Sequence, residues 1–261
     1  MVLRPLGRPT RPRVLLVAKI PFLDELTAAC AACDRAQLLP ADQRNRQVED
    51  AFFRVAVAME TFLSEWLIRC VSFDSSHLHQ RAEKEFDDWL KAQVNAVGGP
   101  NGRRYQAFLR RHSSSLSIPK RPSLTEALSL LGSGGDVVGV TGSKDLEKKA
   151  RDNLIRTYAL RAMKLTVRQR AFLDATKKTR NALAHGSPGT LAAMNTVLKS
   201  GSLPLDVRRG TNGITRSGIG TYLSGKPKTQ RRYAIYFNEL ARLSDDLCKS
   251  PGKPRIISSA V

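Results

Sequence analysis

Acidic residues are scarce in this chain of 261 residues: 23 Asp and Glu stand against 43 Lys and Arg, a net charge of +20. A surplus of that size concentrates polyanions around the protein and argues for nucleic acid over an acidic protein partner. Cysteines number four. So few in a chain this long do not make a disulfide framework, which favours a reducing cytoplasm. Cys30-x-x-Cys33 lacks a second pair, and two alanines between the cysteines suit a helix better than a zinc knuckle. Histidines are also four. His77-x-His79 has no third ligand nearby, so no metal site and no cofactor is expected. No Gly-x-Ser-x-Gly or His-Glu-x-x-His pattern occurs, and Gly142-Ser143-Lys144 reverses the order that a phosphate loop requires. The apolar runs fall short of a bilayer span. Aromatic residues make up only 6% of the chain, leaving Tyr105, Phe108, Tyr222 and Tyr233 as candidates to stack on a base.

The positive charge is clustered. Residues 1–23 hold Arg4, Arg8, Arg11, Arg13 and Lys19 with no acid, and four prolines there suit an extended basic arm over residues 1–21 better than a transit peptide. Residues 98–122 hold six basic residues, Arg103 and Arg104 among them, and again no acid. Residues 199–232 carry eight, including Arg231 and Arg232, against Asp206 alone. Such clusters are what a phosphate-tracking groove needs.

Periodicity predicts helices almost throughout, with Val137 to Val140 the one β-like stretch. The most regular apolar stripe runs over Ala41 to Val71, from Val48 through Phe52, Met59, Leu63 and Trp66 to Cys70. Other helices are expected over Phe22 to Leu38, over Ser76 to Val97 with Phe86, Trp89 and Leu90 in the core, and from Pro122-Ser123 to Gly132. Further ones follow over Ser143 to Leu165, Leu191 to Leu198 and Tyr233 to Cys248. The resulting expectation is an all-α bundle over residues 22–249, with basic loops near 98–122 and 200–232 and a tail over residues 250–261.

One helix stands apart. Thr166-Val167-Arg168-Gln169 reads as a capping box, and Gly186-Ser187-Pro188-Gly189 as its stop. Between them Phe172, Ala175, Thr176, Thr179, Ala182 and Leu183 share one face at three/four spacing. Asp174, Lys178, Asn181 and His185 recur on the opposite face, with Arg180 on a flank. A histidine can move a proton near neutral pH and an arginine can clamp a phosphate. A solvated helix end is the alternative reading of the same phase.

The run Arg180-Asn181-Ala182-Leu183-Ala184-His185-Gly186 resembles the signature of the HEPN superfamily: Arg, four residues, His, with Asn after the Arg and Gly after the His. The helices around Ala56 to Leu63 and from Tyr233 to Cys248 are similar to the first core helix and the closing helix of such domains. The resemblance spans about residues 41–249, and its specific part is the motif. It implies a HEPN-like helical bundle and a metal-independent endoribonuclease of toxin, anti-phage or RNA-processing type. Arg180, Asn181 and His185 would be catalytic, and a homodimer would bring two motifs together. Lys177, Lys178, Arg103, Arg104, Arg231 and Arg232 are the candidate RNA-binding residues; a regulatory protein partner is a further expectation, a membrane is not. A non-catalytic nucleic-acid-binding, adaptor or antitoxin-like protein on the same bundle is the alternative.

Overall fold

The computed structural model describes residues 13–97, 102, 104, 106–107, 118–132 and 137–249. The architecture is all-α, and no strand occurs among these residues. The helices are α1 (Arg13–Ala36), α2 (Ala41–Phe73), α3 (Ser76–Val97), α4 (Leu124–Leu130), α5 (Ser143–Asn153) and α6 (Arg156–Met163). They continue with α7 (Val167–His185), α8 (Pro188–Leu198), a 3₁₀ turn over Arg216–Gly218, α9 (Ile219–Ser224) and α10 (Arg232–Cys248). None of the described helices is long and apolar enough to cross a membrane.

The chain that was expected to form one domain over residues 22–249 divides into two compact units that share α2. Residues 59–164 form one. Its core is the second half of the α2 stripe, where Met59, Phe62, Leu63, Trp66, Leu67 and Cys70 are all buried. Ser72 and Ser75 donate from their hydroxyls to the Pro122 and Pro119 carbonyls at 2.7 and 2.6 Å, fastening the segment that leads into α4. Ser123 and Glu126 form the anticipated capping box of α4, and Gly132, at φ 72°, follows it. Trp89 departs from expectation: it is half exposed and tilts against Phe86, and only Leu90 of that trio enters the core. Val137 to Val140 is not a strand; the Val138 amide donates to the Ser64 hydroxyl instead. His77 lies against the Arg151 carbonyl at 3.0 Å, and His79 faces Glu83 one turn on.

The single helix expected over Ser143 to Leu165 is two. Leu154 adopts an extended conformation, φ −106° and ψ 147°, which ends α5 and lets this side chain bury completely. The Asn153 amide turns back to donate to the Lys149 carbonyl, satisfying the helix end. Spacing by four continued through the break, so the pattern gave no sign of it.

The other unit comprises residues 13–58 and 165–249 of the described chain. Its first helix starts at Arg13, so residues 13–21 are helical and not part of an arm; residues 1–12 lie outside the described chain, as do 250–261. Pro21 sits inside α1 and removes one helical hydrogen bond, a cost of roughly 3 kcal/mol in an isolated helix. Leu15, Ala18, Phe22, Leu26, Ala29 and Cys33, buried at three/four spacing, offset it. Along α10, α1 runs antiparallel: Lys19 pairs with Asp245 near one end, and the Tyr233 hydroxyl donates to Asp34 at 2.8 Å near the other.

At the centre of this unit is Tyr236 of α10. Its ring meets Phe52 of α2 and Phe172 of α7 edge-on, at centroid distances of 5.3 and 5.0 Å. Pairs of this kind add about 0.5–1.5 kcal/mol beyond area burial. Arg168 of α7 reaches Glu239 of α10 at 2.6 Å, and the Gln169 amide reaches Asp246 at 2.6 Å.

Helix α9 approaches α2 so closely that only glycine fits at position 220. A Cβ there would lie 2.6 Å from the Asn45 carbonyl oxygen and 2.7 Å from its Cβ. Gly189 in α8 has nothing within 4 Å of the same position. Gly220→Ala is therefore expected to lower stability by about 1–3 kcal/mol through overpacking. Gly189→Ala should be neutral or slightly stabilising, because it only restricts the unfolded chain. Paired urea denaturation curves check both; equal midpoints would show that α9 does not rest on Asn45.

Candidate active site

The Thr166 hydroxyl accepts the Gln169 amide at 3.1 Å and Gln169 returns the bond at 2.9 Å, so the capping box opens α7 as its sequence indicates. At the other end Gly186 takes the left-handed conformation, φ 58°, and donates to the Ala182 carbonyl. A side chain at 186 would strain that turn, which fixes where His185 sits: on the last residue of the helix. Ser187 then caps α8, with Pro188 as its first residue, so α8 begins three residues earlier than Leu191.

The helical phase holds in the structure. Phe172, Ala175, Thr176, Thr179, Ala182 and Leu183 are buried; Asp174, Lys178 and Asn181 are half-buried, and His185 is exposed. The polar seam thus opens progressively toward the C-terminus of α7. Lys177 is half-buried as well.

Arg180 does not sweep directly to His185. Its guanidinium lies over the Phe53 ring of α2, 5.4 Å from the centroid, and donates to the Asn181 side-chain oxygen at 3.2 Å. Asn181 precedes His185 by one turn on the same face, where side chains four apart are neighbours. The amide thus accepts from the arginine on the same helical face as the histidine. A guanidinium over an aromatic face is held in place by the attraction between the cation and the ring.

Two site residues escaped sequence reasoning. Glu49, one turn before Phe53 on α2, accepts the Gly220 amide at 2.8 Å with one carboxylate oxygen and the Arg216 guanidinium at 2.7 Å with the other. Arg216 in turn lies beside Gly186, its Cδ 3.6 Å from where a Cβ of residue 186 would be. It thus arrives next to His185 from a loop thirty-odd residues downstream in the chain. In the sequence Glu49 is one acid among several along α2 and Arg216 one of eight basic residues; nothing local pairs them.

Other expected RNA contacts are used differently. Arg231 donates to the Ser224 carbonyl at 2.7 Å. Arg232 donates to the Asp206 and Tyr222 carbonyls at 3.0 and 3.2 Å, and stacks on the Tyr222 ring at 4.9 Å. These two arginines brace the loop and α9. Tyr222 and Tyr233 are buried and cannot stack on a base. The Tyr222 hydroxyl donates to the Val207 carbonyl and meets the Tyr236 hydroxyl. Burial pushes the Tyr222 phenol up to about 12, so it keeps its proton at neutral pH. Arg104 is exposed and belongs to the other unit; Arg103, Tyr105 and Phe108 lie outside the described residues.

Arg232→Gln is accordingly expected to act on stability. It removes two hydrogen bonds and a ring contact and takes the donor from the Asp206 carbonyl, while the Tyr222 carbonyl keeps the Gly225 amide, a loss of about 1–3 kcal/mol. Chemical denaturation checks this; an unchanged midpoint together with weakened RNA binding would return Arg232 to the binding surface.

No protein-family model, curated protein or solved structure matches the chain, so its likeness to the HEPN superfamily rests on the residues themselves.

Proposed function

We propose that this protein is a metal-independent endoribonuclease of HEPN type, with Arg180, Asn181 and His185 as its catalytic residues. One observation carries the reading: an exposed histidine ends α7 one turn beyond an amide that holds an arginine already positioned on Phe53. RNA supplies its own nucleophile, the 2′-hydroxyl. His185 transfers the proton, Arg180 stabilises the negative charge of the crowded phosphorane, and Asn181 orients the phosphate or the imidazole. The leaving group is the 5′-oxygen, so the products carry a 2′,3′-cyclic phosphate and a 5′-hydroxyl. A role in toxin, anti-phage or RNA-processing systems follows from the resemblance.

A non-catalytic adaptor is the second reading. It draws on the arginines that brace the loop, which reduce the surface left for phosphates. Incubation of purified protein with total RNA in excess chelator separates the two. Cleavage is expected, falling on the order of 10²–10⁴ in rate for His185→Ala and comparably for Arg180→Ala. Activity abolished by chelator and restored by magnesium would sink the mechanism.

One histidine does not conveniently serve both sides of an in-line displacement. The proposal therefore includes a homodimer in which two α7 seams meet and each scissile phosphate draws on both subunits. Mixing inactive Arg180→Ala chains with inactive His185→Ala chains is expected to restore partial activity, because a mixed dimer keeps one intact arginine and one intact histidine. Full activity in a protein that sediments as a monomer would rule out the composite site.

A further inference from the structure

We infer that Arg216 is a second phosphate-binding side chain of the α7 site, engaging the phosphodiester next to the one held by Arg180. The inference rests on the ribonuclease reading for the identity of the strand, and on separate geometry for the residue.

Three observations support it. First, Arg216 is placed and not merely present: Glu49 holds the guanidinium at 2.7 Å while the Gly220 amide holds Glu49 at 2.8 Å. The carboxylate is largely buried, at 15% exposure, and both of its oxygens are engaged. It therefore acts as a fixed mount for the arginine. Second, the arginine side chain itself is 44% exposed, and the bond to Glu49 engages one of five N–H donors. The planar fork keeps donors for a phosphate, as a guanidinium shared between a carboxylate and a phosphate requires.

Third, the two guanidinium groups are carried by neighbouring turns of one helix. Glu49 mounts Arg216 and Phe53 mounts Arg180. Four residues of α-helix rise about 6 Å, comparable to the separation of adjacent phosphates on an extended strand. Arg216 lies against Gly186, and His185 directly precedes that glycine at the end of α7. A strand bound across this end would meet Arg216 beside the histidine and Arg180 earlier on α7. Arg208, Arg209 and Arg232 each make two or more bonds to backbone carbonyls, and Arg231 makes one. Among the described residues of the loop, Arg216 is the arginine whose partner is a carboxylate on α2.

The test is equilibrium binding of a short oligouridylate in chelator, across a series of salt concentrations, using full-length protein carrying His185→Ala so that no cleavage intervenes. Adding Arg216→Gln is expected to weaken binding about five- to tenfold at low salt and to reduce the slope of log K against log salt by about 0.7, one phosphate contact on a single strand. Lys144→Gln, which removes the same charge from an exposed position in the other unit, should leave the slope unchanged. An unaltered slope and affinity for Arg216→Gln in a protein with unchanged thermal unfolding would overturn the inference. If Arg216→Gln does not fold, Arg216→Lys decides: several-fold weaker binding at an unchanged melting temperature supports it, wild-type affinity overturns it. Failure of the ribonuclease reading is separate, since it shows as absence of cleavage by the wild-type protein whatever the binding slopes.

Discussion

Tyr236 takes the edges of two phenylalanine rings, one from α2 and one from α7, and cannot then leave its hydroxyl unpaired in the interior. A buried hydroxyl without a partner costs about 1–3 kcal/mol. The Tyr222 hydroxyl answers that need at 3.1 Å, and its own bond runs on to the Val207 carbonyl. A single side chain thereby joins three helices by its ring and the loop and α9 by its oxygen. Burial raises both phenols above their ordinary range, so the pair stays protonated and remains able to donate. The placement of α9 against α2, the engagement of Gly220 by Glu49, and hence the position of Arg216, all follow from this chain of contacts.

That arrangement changes what the charge of the protein means. A segment such as 199–218, with one short 3₁₀ turn, exposes many carbonyls that no helix satisfies. Arginine is suited to the task, because one guanidinium can reach several oxygens at fixed angles. Arg209 donates to the carbonyls of Asn195, Gly210 and Thr211, and Arg208 to those of Leu203 and Gly201. Asn195 completes the fastening by accepting the Ile214 amide and donating to its carbonyl. Part of the surplus of basic residues is thus internal scaffolding. Composition cannot separate such residues from those facing a polyanion, since both uses select the same amino acid.

The features legible in the sequence were local ones. The capping boxes at Thr166 and Ser123, the left-handed stop at Gly186 and the buried stripes of α2 and α7 depend on residues within a few positions of one another. The exposed end of α7 follows from phase alone, so the placement of His185 and Asn181 was readable too. Tertiary context decided the rest. Pro21 argued for an extended arm, yet the burial of Leu15 and Phe22 against the rest of the unit outweighs a missing hydrogen bond. Leu154 interrupts a stripe whose spacing never faltered. Tyr222 and Tyr233 bear no mark that distinguishes a buried phenol from a stacking platform.

Electrostatics at the α7–α8 junction explains why side chains must supply the charge of the site. The last turn of α7 presents carbonyls, the negative end of a helix dipole, which disfavours a phosphate. Two residues later α8 begins with the Ser187 cap, and its amides present the opposite sign. The two ends lie close together, so their fields largely offset one another and neither can hold an anion unaided. Cations mounted from another helix resolve this. The Phe53 ring lies against Arg180, and Glu49 fixes Arg216 while engaging one donor of its fork. Both mounts sit on α2, where the neighbouring Phe52 is buried against Tyr236, so the charge at the end of α7 is supported from a helix anchored in the core.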